Sequence, residues 1–309
     1  MVVTLNQADL QEARRLNEIV EAMHYTEVWK VYGLSEKGRW REDENIVQNS
    51  PIIRFTPAHP EQLDKICSDA FFAPEQGVLF DLGDTYSSKA LIEYLGSLGY
   101  GLDQVNAIFM THLHTDHFGK PELFTHLGQR IPVYSSPEEI SSYQSQPLNA
   151  LEVCFRWQGV RHSDDTNVAR QGLLVRNSNK YNGQLVGLKD VDTITGLKVR
   201  EMRIDDLSDG PLPEGELGYI TFPNHHSSCD TVYVLGKYLF IGDVLAEKSG
   251  PLGNTDNEEY AVNAREIGSR LINRQLLGLG FKIIPGHDKK YYSDKIITLS
   301  GELSEYAPS

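Results

Sequence analysis

The chain has 309 residues, 40% hydrophobic and 23% charged, a composition that suits a soluble globular protein with enough apolar material for a large core. Its 29 Lys and Arg against 43 Asp and Glu leave a net charge of −14, which argues against a nucleic-acid surface built on clustered cations. Cys67, Cys154 and Cys229 are too few and too dispersed for a disulfide framework or a Cys-x-x-Cys zinc clip, the N-terminus shows no secretory h-region, and no apolar run approaches ~20 residues, so a cytoplasmic protein without a membrane span is expected.

In chain order, "NQADLQEARRLNEIVEAM" reads as a helix with Leu10, Ala13, Leu16, Ile19 and Val20 at helical spacing. "EVWKVYGLS" and "SPIIRFTPA" read as strands, and "PEQLDKICSDAFF" as a short helix. "QGVLFDLGDT" is an apolar strand running into Asp81, and "SSKALIEYLGSLG" a helix behind a serine cap. "VNAIFMTH" is almost continuously apolar, the pattern of a strand covered on both faces. "IPVYSS" is a further strand and "SPEEISSYQSQ" opens a helix. Residues 142–190 are polar and weakly patterned. Beyond them "TGLKVREMRIDD", "LGYITFPN", "DTVYVLG" and "KYLFIGD" form a run of strands, the last two joined at Gly236-Lys237. "AVNAREIGSRLINRQLLGLG" is a helix closed by Gly280, and "FKIIPGHD" a last strand and loop.

The chain has only 10 histidines, yet "THLHTDHFGK" places His112, His114, Asp116 and His117 within six positions. An extended stretch points His112 and His114 to one side, and imidazole with carboxylate is a ligand set for a borderline divalent ion. The cluster stands in the loop after a buried strand, where an α/β scaffold usually places its chemistry. Three later strands also end in candidate donors: His225 and His226 in "FPNHHSSCD", Asp243 in "YLFIGD" and His287 in "IIPGHD".

From about Gly77 to Asp288 these motifs, in this order, resemble the metallo-β-lactamase-fold hydrolase superfamily, the group that includes glyoxalase II, lactonases and ribonuclease Z. "VLFDLG" is similar to its first motif, "THLHTDHFG" to its second and most specific one. "FPNHHSSC", "LFIGD" and "IIPGHD" are similar to the later three. The resemblance implies a single domain over residues 1–309 with a four-layer αββα sandwich. It implies two divalent metal ions, zinc first, with manganese or iron as alternatives. His112, His114 and His225 would hold one, Asp116, His117 and His287 the other, with Asp243 bridging. Asp81 would stand behind the ligands, and His226 beside His225. The implied chemistry is hydrolysis of a small ester, thioester or lactone by a metal-bridging hydroxide, with Asp116 orienting the water or taking its proton.

The pattern departs from the family in places. Gly119-Lys120 replaces a Gly-Gly pair, which makes Lys120 a candidate contact for an anionic substrate group. Cys229 stands where a small polar residue is usual and reads as a packed side chain. The 108-residue interval between His117 and His225 (225 − 117) is long, so residues 142–190 read as an inserted lid. Arg156, Trp157 and Tyr181 in that segment are candidate substrate contacts. The expected partner is a small molecule, with no nucleic acid and no membrane; a homodimer stays open. A phosphodiesterase or nuclease, a mononuclear-iron oxygenase and a non-catalytic ligand sensor are the competing readings, since fold does not fix function.

Overall fold

The structure is a computed structural model describing residues 52–55, 68–83, 87–145, 185–223, 225, 227–244 and 279–286. The helix expected near the N-terminus, residues 261–278 of the helix expected over 261–280, the strand "EVWKVYGLS", and the side chains of Arg156, Trp157, Tyr181, His226 and His287 lie outside the described residues.

Two six-stranded mixed sheets make the frame. The first contains β1 (Ile53–Phe55), β2 (Ala70–Ala73), β3 (Val78–Phe80), β4 (Ala107–Phe109), β7 (Val133–Ser135) and β8 (Leu185–Gly187), adjacent in that order. Its first three strands are antiparallel, and β3, β4, β7 and β8 run parallel. The crossover from β3 to β4 contains helix α1 (Ser87–Ser97), and helix α2 (Thr115–Phe118) follows β4. Helix α3 (Pro137–Ser145) follows β7. A small hairpin, β5 (Thr125–His126) with β6 (Gln129–Arg130), lies between α2 and β7. The second sheet has the order β14 (Lys282–Pro285), β13 (Tyr238–Gly242), β12 (Cys229–Leu235), β11 (Glu216–Pro223), β10 (Leu197–Glu201), β9 (Thr193–Ile194).

Period-2 alternation divides the apolar side chains into layers. Phe72, Leu79, Ile108 and Val133 turn outward from the first sheet to meet Ala90, Leu91 and Leu95 of α1 and Ile140 of α3. Phe71, Phe80 and Phe109 turn inward and meet Val199, Tyr219, Tyr233 and Phe240 of the second sheet. Phe80 and Phe240 stack at 4.0 Å between centroids, the centre of the inter-sheet core. Val232, Val234, Leu239 and Ile241 face away from the first sheet into a third cluster with Met202, Leu207 and Phe281.

Three sequence expectations change. "AFF", read as a helix tail, lies in strand β2 (Ala70–Ala73), paired on both sides. Its four residues are all buried, and a short continuous apolar run has no period to separate strand from helix. The ends of the 142–190 segment belong to the frame: Ser142–Ser145 completes α3, and Leu185–Gly187 is an edge strand pairing β7. Its half-exposed three residues carry too little pattern to read. The strand begun at Thr195 starts instead at Leu197, because Thr195 and Gly196, both at positive φ, turn the chain from β9 to β10. Gly236-Lys237 forms the expected tight turn, with Leu235 opposite Tyr238 and Gly236 at φ +56°. Among the described residues no helix is long and apolar enough to cross a membrane.

Candidate metal centre

The donor-bearing loops leave their strands at one end of the sandwich. β3 runs into Asp81 and β4 into Thr111 and His112; β13 runs into Asp243 and β14 towards Gly286. Asp81 is buried with φ +53°, a left-handed conformation that aspartate tolerates better than most residues. That turn directs its carboxylate across the parallel neighbour. Oδ1 accepts the Thr111 N–H at 2.8 Å, and Oδ2 accepts the Thr111 hydroxyl at 2.8 Å. Oδ2 also accepts Nδ1–H of His117 at 2.9 Å. Since a carboxylate can only accept, Nδ1 of His117 carries the proton and Nε2 faces the cluster.

His112, His117 and Asp243 each offer a donor atom, all within 4.8 Å of one another and all buried. Nε2 of His117 lies 3.3 Å from Oδ1 of Asp243 and 4.0 Å from Oδ2 of Asp116. Burial alone would push the His117 imidazolium down; the carboxylates of Asp243, Asp81 and Asp116 outweigh it and hold the ring well above its usual 6.5. Three carboxylates thus gather negative charge around one buried imidazole. Two imidazoles and a carboxylate are the donors a zinc-like cation takes, so these residues fit a metal. The backbone is close around them: a Cβ on Gly286 would lie 2.8 Å from Cε1 of His117, and one on Gly242 2.5 Å from Oγ1 of Thr111.

A family model described as the metallo-beta-lactamase superfamily matches residues 70–287, more than half of the chain and the whole span of these loops. The chain belongs to that superfamily.

No curated protein matches it. Among solved structures, a metallo-beta-lactamase family protein from Thermus thermophilus is similar at 20% identity and TM-score 0.45, over 77% of this chain and 74% of the other. The hydrolase AbOPH of the beta lactamase superfamily is similar at 14% identity and TM-score 0.44, over 82% and 91%. AidC, a dizinc quorum-quenching lactonase, is similar at 12% identity and TM-score 0.42, over 81% and 85%.

Around the core of this metallo-beta-lactamase superfamily site stand the other candidates from the sequence. His114 is half-buried at the N-cap of α2, its ring centroid 4.5 Å from that of His112. Asp116, in the first turn of α2, is partly exposed at the rim. His225 is buried beside the end of β13, its Nε2–H donating to the Val244 carbonyl at 2.6 Å. A carbonyl only accepts, so the lone pair of a neutral His225 ring is on Nδ1. Lys120 follows α2 with its Nζ 4.0 Å from Glu122. Cys229 is fully buried and its thiol is pushed up to about 11, chiefly by burial, which fits a packed, unreactive side chain.

Thr111 and Ser88 were not singled out as site residues by the sequence. Thr111 connects Asp81 to both histidines, its hydroxyl lying 3.2 Å from Nδ1 of His112. Ser88 accepts the Lys120 N–H at 2.8 Å and donates to the Leu82 carbonyl at 3.3 Å, bracing the chain where it leaves α2. Thr111 sits inside the His-rich stretch, so its place after a buried strand was a usable signal. Ser88 is distant in sequence and resembles any residue at a helix start.

Proposed function

We propose that the chain is a metal-dependent hydrolase of a small ester, thioester or lactone. The observation that carries the reading is the buried convergence of His112, His117 and Asp243, in a chain that belongs to a superfamily of hydrolytic metalloenzymes. His112, His114 and His225 would hold one divalent cation, Asp116, His117 and His287 a second, with Asp243 shared. Cations held there would supply a water acidified from ~15.7 to ~7 and a Lewis acid for a scissile carbonyl. Asp81 holds the His117 ring so that Nε2 points into the pocket. Asp116 is partly exposed, 4.0 Å from Nε2 of His117, and its carboxylate would orient the attacking water and accept its proton. Thr111 and the buried strand ends exclude bulk solvent from the inner side. The net charge of −14 favours a small substrate over a nucleic acid. Lys120 would meet an anionic end of that substrate, with Arg156, Trp157 and Tyr181 walling its acyl part.

Elemental analysis of purified protein, combined with assays on a lactone, a thioester, an aryl ester and a phosphodiester, tests the reading. Two equivalents of zinc or manganese with turnover of a carbonyl substrate are expected. One equivalent of iron with oxygen consumption, or turnover of the phosphodiester alone, would replace it.

A further inference from the structure

We propose that Glu139 is a positioning residue of the metal centre, locking the loop that carries His112 and His114 to the loop that follows His225. The inference rests on the metal-site reading above.

Glu139 lies in the first turn of α3, where a glutamate ordinarily faces water; here it is 5% exposed. Oε1 accepts the N–H of Leu113, the residue between His112 and His114, at 3.0 Å. Oε2 accepts the N–H of Cys229, four residues after His225, at 2.9 Å. Leu113 belongs to the loop leaving the first sheet, and Cys229 begins β12 of the second. One side chain thus spans the seam between the sheets at the level of the ligands. Its neighbours reinforce the same link. The hydroxyl of Ser136 accepts the Glu139 N–H at 3.1 Å and donates to the Cys229 carbonyl at 3.2 Å. Ser228 and Ser142 join through their hydroxyls at 2.7 Å.

The burial is costly. It pushes the Glu139 carboxyl up from 4.5 to about 7, with the Asp230 charge adding to it. An apolar residue would fill the same volume without that penalty. What an apolar residue lacks is two acceptors that bind two separated amides at once. The loops do not need Glu139 for their own shapes. Asp230 accepts the Ser227 N–H at 2.8 Å within one, and Asp81 binds Thr111 at the start of the other. Glu139 adds a two-pronged side-chain connection between them, next to the Thr231 N–H on the Thr111 carbonyl at 2.7 Å. Without it the amides of Leu113 and Cys229 lose their common acceptor, and the spacing between the His112–His114 pair and His225 loosens. Groups that orient ligands in this way change metal affinity by about 10- to 100-fold when removed.

The test uses the full chain stripped of metal, with zinc titrated against a chromophoric chelator and melting recorded with and without zinc. Wild type is compared with Glu139→Gln and Glu139→Asp. Gln keeps the volume but turns an N–H₂ towards one amide; Asp keeps the charge but shortens the arm. Both should lose zinc affinity at least tenfold, about 1.4 kcal/mol, and show a smaller zinc-induced rise in Tm. A merely structural role would lower the metal-free and zinc-loaded Tm together. Wild-type zinc affinity in either folded variant would therefore overturn the proposal. If Glu139→Gln does not fold, Glu139→Asp decides. Failure of wild type to bind zinc, manganese or iron would overturn the metal-site reading itself, an outcome separate from the behaviour of the variants.

Discussion

Asp81 shows how much one residue can hold. Its carboxylate satisfies the Thr111 N–H, the Thr111 hydroxyl and the His117 ring, all in a buried position. Asp81→Ala would leave those donors without their acceptor and keep a Cβ at φ +53°. We expect it to destabilise the metal-free protein by about 3 kcal/mol, measured by urea unfolding, since each buried unsatisfied group costs about 1–3 kcal/mol. Asp116 is the opposite case. It sits at the partly exposed rim, so Asp116→Asn should cost under about 1 kcal/mol of stability while lowering turnover at least about 100-fold. Melting, metal content and turnover measured on one preparation check this, and wild-type turnover would remove Asp116 from the mechanism. Glu139 adds a pH dependence. Burial first, then Asp230, raises its carboxyl from 4.5 to about 7 against the pull of the Leu113 and Cys229 amides. The unfolded chain gives up this proton before the folded chain does. The contribution is therefore full below about pH 4.5 and lost as pH rises to about 7. The stability of metal-free wild type relative to Glu139→Gln should fall by about 3 kcal/mol across that window. Urea titrations at its two ends measure the change, and a flat difference contradicts it.

At the scale of elements, the site is made where strands stop. β3, β4, β13 and β14 end at the same side, and their loops can approach only because two of them use glycine there. Gly242, at φ +50°, passes over Thr111, while Gly286 passes over the His117 ring. Gly286→Ala would place a methyl 2.8 Å from Cε1 of His117 and 3.0 Å from the Gly242 backbone. Backbone cannot yield as a flexible side chain would, so the ring must move. We expect loss of metal binding by at least about 100-fold and destabilisation of about 2 kcal/mol, read by chelator competition and thermal melting. Helix α2 has only four residues and little stability of its own. It is held by the Leu82 N–H on the His117 carbonyl at 2.8 Å and the Ser68 N–H on the Asp116 carbonyl at 3.2 Å.

For the whole molecule, the site lies on the seam between two sheets that share one aromatic core. Phe80 touches Phe109, Tyr233 and Phe240, so the sheets are fixed to each other a few residues behind His112 and Asp243. The seam is closed in front by the Thr231 N–H on the Thr111 carbonyl at 2.7 Å and the Asp69 N–H on the Gly286 carbonyl at 2.7 Å. A cation binding His112 and His117 from the first sheet and Asp243 from the second would bind only the folded arrangement. Chelation should therefore lower the stability of the whole domain, by about 2.7 kcal/mol where free metal had stood at about 100 times its Kd. A single cooperative melt shifted downward by EDTA and restored by zinc is the expected result. An unchanged melt would show that the cluster holds no cation in the native protein.

The histidine cluster, the order of the motifs and most of the strands were legible because they are local. Imidazoles at i and i+2 after a buried strand, and apolar runs that end in a single donor, are written in consecutive residues. β2 and β8 were not legible: the first is apolar on both faces and the second is a three-residue edge, so each is defined only by its partners in the sheet. The Leu127-Gly128 turn was invisible for a related reason, since leucine at φ +49° is tolerated there only because the hairpin demands it. Glu139 is the clearest case. In sequence it is one of two adjacent glutamates at a helix start, and nothing separates it from Glu138. In the structure Glu138 pairs with Lys189 in water, while Glu139 turns inward to two amides lying 26 and 90 residues away in the chain. Residue types and local period determined which donor side chains stand at the ends of buried strands. Which carboxylate is buried, and which loops it joins, was decided only when the packing of α3 across the two sheets brought distant amides within reach of one side chain.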